Sequence, residues 1–236
     1  MSGRLEGRVA MVTGASRGIG AAVAKAYAAE GAQLVLLART VGGLEEVNDA
    51  IRAANGLRPL LVPQDLRDFS ALDRLGAALH ERYGRLDVLV GNAGALGRLS
   101  PTGHVPPKDW QEVIDVNMSA NWRLIRSLDP LLRLSDAGRA IFVTSGAAST
   151  AFAFWAPYAA SKAGLEMLVK VYAAEIAKTK LRVNLLDPGQ VRTTMRAKAF
   201  PGEDPATLPT PESLTARFVE LALPSCRRNG EVVRAY

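Results

Sequence analysis

Residues 9–20, VAMVTGASRGIG, place a short apolar run directly before a glycine-rich turn and the start of a helical pattern. Glycines at 14, 18 and 20 allow the backbone to turn tightly and to approach a bound group closely. A helix that begins at Gly18 would present unpaired N–H groups and its positive dipole end to an anion. The stretch therefore predicts a strand–turn–helix unit that holds the pyrophosphate of a dinucleotide. Because its spacing is G-x-x-x-G-x-G and not G-x-G-x-x-G, a glycine turn without a ligand stays open at this point.

The alternation of apolar runs and helical patterns continues along the whole chain. Apolar runs predict seven strands, at Val9–Thr13, Gln33–Ala38, Arg58–Pro63, Leu86–Gly91, Ala140–Thr144, Arg182–Leu186 and Gly230–Val233. Helical patterns predict six helices, at Gly18–Glu30, Leu44–Ala54, Ser70–Tyr83, Lys108–Leu132, Pro157–Lys178 and Pro211–Leu223. Apolar strands joined by helical crossovers are typical of a parallel sheet covered on both faces. We expect residues 1–236 to form one doubly wound α/β domain, a Rossmann fold with a seven-stranded, mainly parallel sheet.

Composition narrows the class of protein. The 236 residues are 48% hydrophobic and 22% charged, which is ordinary for a globular domain that needs no disulfide or metal. The single cysteine, Cys226, excludes an internal disulfide and fits a reducing cytoplasm. The net charge of +6 comes from scattered basic residues without interleaved aromatics, which argues against nucleic acid as a partner. The two histidines, His80 and His104, have no metal-binding spacing.

The uncharged stretch from Ala140 to Ser161 is long enough to cross a bilayer. It contains Thr144, Ser145 and Pro157, however, and fits a buried strand, a site-lining loop and the start of a helix better. We therefore expect a cytoplasmic protein that does not engage a membrane.

Further motifs follow the glycine turn in a specific order. They are Gly14–Gly20 (GASRGIG), Asn92-Ala93-Gly94, Asn117, Ser145, Tyr158-x-x-x-Lys162 and Pro188-Gly189. In this order the chain resembles the short-chain dehydrogenase/reductase family, from Gly7 to about Val233. The resemblance implies a single-domain enzyme that transfers a hydride between a nicotinamide cofactor and a carbonyl or alcohol substrate. Gly91 stands where the family commonly has asparagine, a departure expected to matter little.

The resemblance also implies roles for individual residues. Tyr158 would be the acid/base, Ser145 would hydrogen-bond the reacting oxygen, Lys162 would also bind the nicotinamide ribose, and Asn117 would anchor a water that passes protons outward. The remaining cofactor-binding residues would be Gly14, Ser16, Arg17, Gly18, Ile19, Gly20, Asp65, Leu66, Asn92, Ala93, Gly94, Pro188, Gly189, Val191 and Thr193.

The spacing of Tyr158 and Lys162 supports this chemistry. Four residues apart on a helix, they share one face. Ionising a tyrosine at pH 7 costs roughly 4 kcal/mol, and an ammonium about 4 Å away offers a comparable amount at an effective dielectric near 20. We expect Lys162 to lower the pKa of Tyr158 towards neutrality. Taken singly, such a pair is usually surface decoration, and a serine after a strand is usually a cap.

The end of the second predicted strand indicates which nicotinamide cofactor is used. The position where an acid would hold the ribose 2′-hydroxyl of NAD is Ala38, and Arg39 follows it. An alanine leaves room for a 2′-phosphate, and Arg39, together with Arg17, can pair with it. The sequence therefore predicts NADP(H), unless Arg39 is simply a solvated residue at a strand end.

The substrate and the direction of reaction stay open. The residues expected around the substrate are Leu96, Phe152, Phe154, Trp155, Gln190, Met195 and Phe200. They favour an apolar or aromatic carbonyl compound over a sugar or a phosphate, although the aromatic residues could equally belong to the core or to a subunit contact. A binding protein that holds NADP as a sensor or scaffold is the alternative from another class, and enoyl reduction is an alternative reaction.

Two further expectations concern assembly and motion. The helices Lys108–Leu132 and Pro157–Lys178 are expected to pack against their counterparts in a homodimer or homotetramer. Five residues are expected to supply the apolar contact surface: Ala120, Leu124, Leu168, Val169 and Tyr172. The segment Thr193–Thr210, which includes a proline-rich stretch, is predicted to be a mobile lid.

Overall fold

The computed structural model describes residues 3–236 and contains a single seven-stranded sheet. Its strands are β1 (Val9–Thr13), β2 (Gln33–Ala38), β3 (Leu60–Pro63), β4 (Val88–Gly91), β5 (Arg139–Val143), β6 (Arg182–Asp187) and β7 (Val232–Arg234). The α-helices are α1 (Gly18–Ala29), α2 (Val41–Ala53), α3 (Phe69–Tyr83), α4 (Pro107–Ile114), α5 (Ala120–Leu134), α6 (Ala156–Glu175), α7 (Thr194–Ala199) and α8 (Thr215–Ala222). Every strand pair is parallel, in the order β3-β2-β1-β4-β5-β6-β7. The predicted doubly wound α/β fold is confirmed.

The sheet is covered on both faces because alternate residues of each strand point to opposite sides. On β1, Ala10 and Val12 pack into the cluster that holds α1, α2 and α8. Met11, between them, packs into the cluster that holds α3, α5 and α6. Both faces of β1 are therefore buried, which explains its uninterrupted apolar sequence.

The order of the strands creates the crevice that becomes the site. β1 lies between β2 and β4. From β1 the chain adds β2 and β3 on one side of the sheet, and it then returns to the other side of β1 to add β4 and the later strands. The loops that follow β1 and β4 leave their carboxyl ends on opposite faces and open a crevice there.

Two predicted segments differ from the observed elements. The helix expected over Lys108–Leu132 is divided into α4 and α5 by a π-helical turn at Asp115–Ser119. The segment expected to be an irregular lid contains α7, and the Thr193 hydroxyl accepts the Arg196 N–H at 3.2 Å as its N-cap. A six-residue helix is too short to produce a recognisable period in the sequence.

The prediction that five named residues form the subunit contact is wrong. Ala120, Leu124, Val169 and Tyr172 are buried within the subunit, and Leu168 packs partly buried against the same core. Their helical spacing reflects the stripe that faces the sheet. The exposed apolar side chains on these helices are different ones: Trp122, Met167 and Val171.

Candidate active site

A cavity of about 740 Å³ lies in the crevice at the carboxyl ends of the strands, a volume suited to a sizeable ligand. The predicted site residues that line it are Gly14, Ser16, Arg17, Gly18, Ile19, Arg39, Asp65, Leu66, Asn92, Ala93, Gly94, Ser145, Tyr158, Lys162, Pro188, Gly189, Val191 and Thr193. Two predicted residues, Gly20 and Asn117, are not among the lining residues and act from behind the wall.

The glycine turn is fastened to the loop that follows β4. Gly14 has φ of +65°, and a Cβ atom on it would lie 2.9 Å from the Cα of Ala93. A Cβ atom on Gly20 would lie 2.3 Å from the carbonyl oxygen of Gly14, so α1 packs directly on the turn. The Asn92 amide donates to the Thr13 carbonyl at 2.9 Å and holds the two loops together. Gly20 therefore lets α1 pack closely against the cradle.

The N-terminus of α1 is open towards the cavity. Arg17, its N-cap, makes no side-chain capping hydrogen bond, and the first turn of the helix has no acidic residue. Backbone N–H groups at such an end can bind an anion, and the helix dipole favours it. This arrangement fits the pyrophosphate of a dinucleotide cofactor.

The cavity end next to β2 is positively charged. Ala38 is buried at the end of the strand, whereas Arg39 and Arg17 are exposed. Neither arginine forms an ion pair with residues 3–236 that lies within 4 Å. The nearby carboxylate of Asp65 pairs with Arg67 at 2.8 Å, which holds the pKa of Asp65 below its usual value. Both arginines thus remain available to a phosphate group.

Ser145, Tyr158 and Lys162 meet at the other end of the cavity. Ser145 follows β5, and its hydroxyl accepts the Ala147 N–H at 3.2 Å. Tyr158 lies in the first turn of α6 and is only 8% exposed. Lys162, one turn later, donates from Nζ to the carbonyl oxygen of Val143 at 2.8 Å. The three side chains predicted to carry the chemistry therefore share one wall.

The pKa of Tyr158 is not lowered as the sequence suggested. Burial raises it, a hydrogen bond with Ser145 partly opposes this, and the negative charge of Asp187 raises it further. Lys162 Nζ lies 5.7 Å from the centre of the tyrosine ring, and burial lowers its own pKa to about 8. The expected stabilisation of the phenolate by Lys162 is therefore not found, because desolvation dominates both groups.

Asn117 lies within the π-helical turn and connects the loop after β4 to α6. Its Oδ1 accepts the Ala95 N–H at 2.7 Å, and its Nδ2 donates to Ala95 O and to Ser161 Oγ, each at 2.9 Å. The backbone carbonyl of Asn117 accepts a further bond from Asn121 Nδ2 at 2.7 Å. Asn117 is thus a buried positioning residue that holds the shape of the cavity wall.

The departure at position 91 has a structural reason. A Cβ atom on Gly91 would lie 2.4 Å from Phe142 Cδ1 and 2.6 Å from Asn121 Oδ1. The side chain of Asn121 occupies the space that a larger residue at 91 would need. A side chain at 91 would therefore displace Phe142 or Asn121, and glycine leaves room for both.

Asp187 is a site residue that the sequence reasoning missed. It is buried at the end of β6, where Oδ1 accepts the Gly189 N–H at 3.0 Å and Oδ2 accepts the Tyr236 hydroxyl at 3.3 Å. It orients the loop that holds Pro188 and Gly189. An acid directly before this Pro-Gly pair was the available signal.

Residues 3–236 contain no side-chain cluster suited to a metal ion and no helix suited to a membrane. No group of three or more His, Cys, Asp and Glu side chains in that range could hold a metal ion. No helix in the same range has the length and apolar character needed to cross a membrane.

Comparison with known proteins assigns the chain to a family. The family model for short chain dehydrogenases matches residues 8–204, most of the chain. The chain belongs to the short-chain dehydrogenase family and is an oxidoreductase of this nicotinamide-dependent class.

Individual relatives are similar over nearly their whole length. The uncharacterized oxidoreductase YciK of Escherichia coli K12 is 39% identical over 226 residues, which cover 95% of this chain and 89% of YciK. A short chain dehydrogenase from Salmonella enterica serovar Typhi superposes with a TM-score of 0.96 at 36% identity, covering 100% of this chain and 98% of the other. A chain from Escherichia coli CFT073, described as a short chain dehydrogenase complexed with NADPH, has a TM-score of 0.94 at 38% identity, with coverages of 98% and 97%.

Proposed function

We propose that this protein transfers a hydride between NADP(H) and a carbonyl or alcohol substrate, with Tyr158 as the acid/base. One observation carries the proposal: a single cavity joins the open N-terminus of α1 and the free arginines to Ser145 and Tyr158. A cofactor held at the first end would extend towards the reacting groups at the second.

The preference for NADP(H) over NAD(H) rests on charge. Arg17 and Arg39 line the cavity without a carboxylate partner, and Ala38 leaves the end of β2 free of negative charge. A 2′-phosphate would gain charge-assisted hydrogen bonds here, and the nearby carboxylate of Asp65 is already paired with Arg67. The NADPH complex of the Escherichia coli CFT073 relative agrees with this choice.

The residues around the reacting oxygen favour carbonyl reduction at neutral pH. NADPH, when bound, supplies the hydride. Tyr158 retains its proton because burial and Asp187 raise its pKa, so it can protonate the oxygen as negative charge develops. Ser145 is positioned to donate a hydrogen bond to the same oxygen. Lys162, with Nζ held by Val143 O, orients the wall behind the tyrosine and would bind the cofactor ribose.

A substrate screen tests the proposal directly. Purified protein is mixed with NADPH and with aldehydes, ketones, quinones or 3-oxoacyl thioesters, and the NADPH absorbance is followed. We expect turnover of at least one carbonyl class with NADPH. If the protein bound NADPH but turned over none of these compounds, the proposed hydride transfer would be contradicted. A binding protein that acts as a sensor or scaffold would then be favoured.

A further inference from the structure

The part of the cavity next to Tyr158 has an apolar surface. The side chains that form it come from the loop after β4, from the π-helical turn, from the residue before α6 and from α7. They are Leu96, Leu99, Val116, Trp155, Met195 and Ala199. A substrate that enters here is bound largely by apolar contact.

Three aromatic rings, here called the aromatic wall, pack together here: Trp155, which lines the cavity, and Phe152 and Phe200, which are exposed and lie outside the lining. The indole of Trp155 is central, with its ring centre 5.7 Å from Phe152 and 5.8 Å from Phe200. Its ring also meets that of Tyr158 edge-on, at 5.7 Å and 76°. The aromatic wall therefore begins directly at the phenol that would protonate the substrate.

The backbone holds Trp155 in this place under strain. Phe154, the preceding residue, has φ of +73°, in the left-handed region that a bulky side chain rarely adopts. Its carbonyl accepts the Ser100 N–H at 3.1 Å, which ties this conformation to the loop after β4. Strain of this kind persists where surrounding contacts enforce it, and such residues cluster at functional sites.

The charged groups of this region are largely neutralised. The guanidinium of Arg196 stacks on the Phe200 ring at 3.8 Å, and its Nε and Nη2 donate to the two Glu203 carboxylate oxygens at 2.6 Å. Glu112, on the opposite side, lies 3.6 Å from Arg67. The arginine that touches the aromatic wall is therefore already satisfied and offers little to an anionic substrate. Lys198 also lines the cavity but is exposed to solvent.

We propose that the substrate is a neutral aromatic carbonyl compound whose ring packs against Trp155 while its oxygen lies at Tyr158 and Ser145. The proposal rests on the function proposed above. Reduction adds a hydride from NADPH to the carbonyl carbon and a proton from Tyr158 to the oxygen as the C=O π bond breaks. The products are the alcohol, NADP⁺ and a phenolate that recovers its proton from solvent.

A matched pair of aldehydes tests the substrate class. Benzaldehyde and cyclohexanecarbaldehyde have similar size, but only the first has an aromatic ring. For each aldehyde kcat/KM is measured with NADPH in the parent, in Trp155→Leu and in Trp155→Phe. Differences in intrinsic reactivity cancel when the benzaldehyde-to-cyclohexanecarbaldehyde ratio of a variant is divided by that of the parent.

We expect Trp155→Leu to lower this ratio about five- to tenfold, because the preference of aromatic rings for one another is lost. Trp155→Phe keeps a ring and should stay within about threefold of the parent. An unchanged ratio in Trp155→Leu would overturn the proposal.

A binding measurement separates this inference from the proposed function. Benzyl alcohol and cyclohexylmethanol are titrated by calorimetry into the protein mixed with NADP⁺. We expect tighter binding of benzyl alcohol in the parent and equal binding of the two in Trp155→Leu. If neither aldehyde were reduced, hydride transfer would be contradicted, and the titration would still decide the substrate class. Equal binding of the two alcohols to the parent would overturn the proposal of an aromatic substrate.

Discussion

The ammonium nitrogen of Lys162 donates a hydrogen bond to the carbonyl oxygen of Val143 at 2.8 Å, inside a wall where the lysine is only 3% exposed. This one bond links α6 to the end of β5, the strand that Ser145 follows. It also leaves a buried positive charge whose desolvation is reflected in a pKa of about 8. We therefore expect this buried charge to lower the stability of the fold.

Removing the charge of Lys162 should stabilise the cofactor-free protein. The pKa of Lys162 falls from the usual 10.5 to about 8 in the folded protein, which corresponds to a loss of about 3 kcal/mol in the free energy of unfolding while the lysine is charged. Because the pKa is lower in the folded state, this loss of stability is complete below pH 8, where the lysine is charged in both states. It shrinks as pH rises and vanishes above pH 10.5. We expect Lys162→Met to raise Tm by about 6 °C or more at pH 7 and by little near pH 10.5.

Thermal unfolding of parent and variant across this pH range is the measurement. Lys170→Met is the control, since Lys170 on the same helix is solvent-exposed. A lower Tm for Lys162→Met at pH 7 would show that the bond to Val143 outweighs the desolvation.

Tyr158→Phe removes only the hydroxyl that would move the proton. Turnover of a reduced carbonyl compound should fall by about 100-fold or more, while NADPH affinity and Tm stay close to those of the parent. Tyr83→Phe is the matched control, since Tyr83 ends α3 outside the cavity lining and its hydroxyl bonds only to Arg82 among the described side chains. Activity of Tyr158→Phe within twofold of the parent would dismiss this residue as the acid/base.

Asp187→Asn should shift the pH dependence of the reaction to lower pH. The carboxylate raises the pKa of Tyr158, so a neutral amide lets the phenol ionise sooner. The alkaline limb of kcat/KM for reduction, which needs the protonated phenol, should move to lower pH. Alcohol oxidation, which needs the phenolate, should extend to lower pH by the same amount.

Tyr236→Phe distinguishes charge from position in this test. It removes the 3.3 Å hydrogen bond to Asp187 and keeps the carboxylate. Its alkaline limb should therefore not move to lower pH. Superimposable profiles for the parent and Asp187→Asn would contradict an effect of Asp187 on the tyrosine.

Cofactor preference should depend on Ala38 and Arg39. We expect NADPH to bind at least tenfold more tightly than NADH, a difference of about 1.4 kcal/mol. The double variant Ala38→Asp/Arg39→Leu should reverse this, because the carboxylate repels a 2′-phosphate and can accept the ribose 2′-hydroxyl. Fluorescence titration with both cofactors checks it, and equal affinities in the parent would refute the assignment.

We predict that subunits assemble through the exposed apolar residues of α6. Met167 and Val171 lie one turn apart on α6 and are 61% and 48% exposed. We expect a homodimer or homotetramer, and Val171→Glu should weaken it by burying a charge at the contact. Light scattering at micromolar concentration measures this. A parent that is monomeric under those conditions would exclude the assembly.

The sequence alone determined the fold and much of the site. The alternation of apolar runs and helical periods, together with the turn at Gly14–Gly20, predicted every strand within two residues at either end. Such signals are local, because a buried parallel strand must be apolar along its length and a tight turn must contain glycine. The order of motifs likewise predicted Ser145, Tyr158 and Lys162 at one site.

Tertiary structure decided how these residues behave. Gly20 and Asn117 lie behind the cavity wall, Asn121 fills the space beside Gly91, and the apolar stripe at Leu124 faces the core. The pKa of Tyr158 is raised mainly by burial and further by Asp187, 29 positions later in the chain. Desolvation and long-range contacts arise only when strand ends distant in sequence pack together, so no local pattern encodes them.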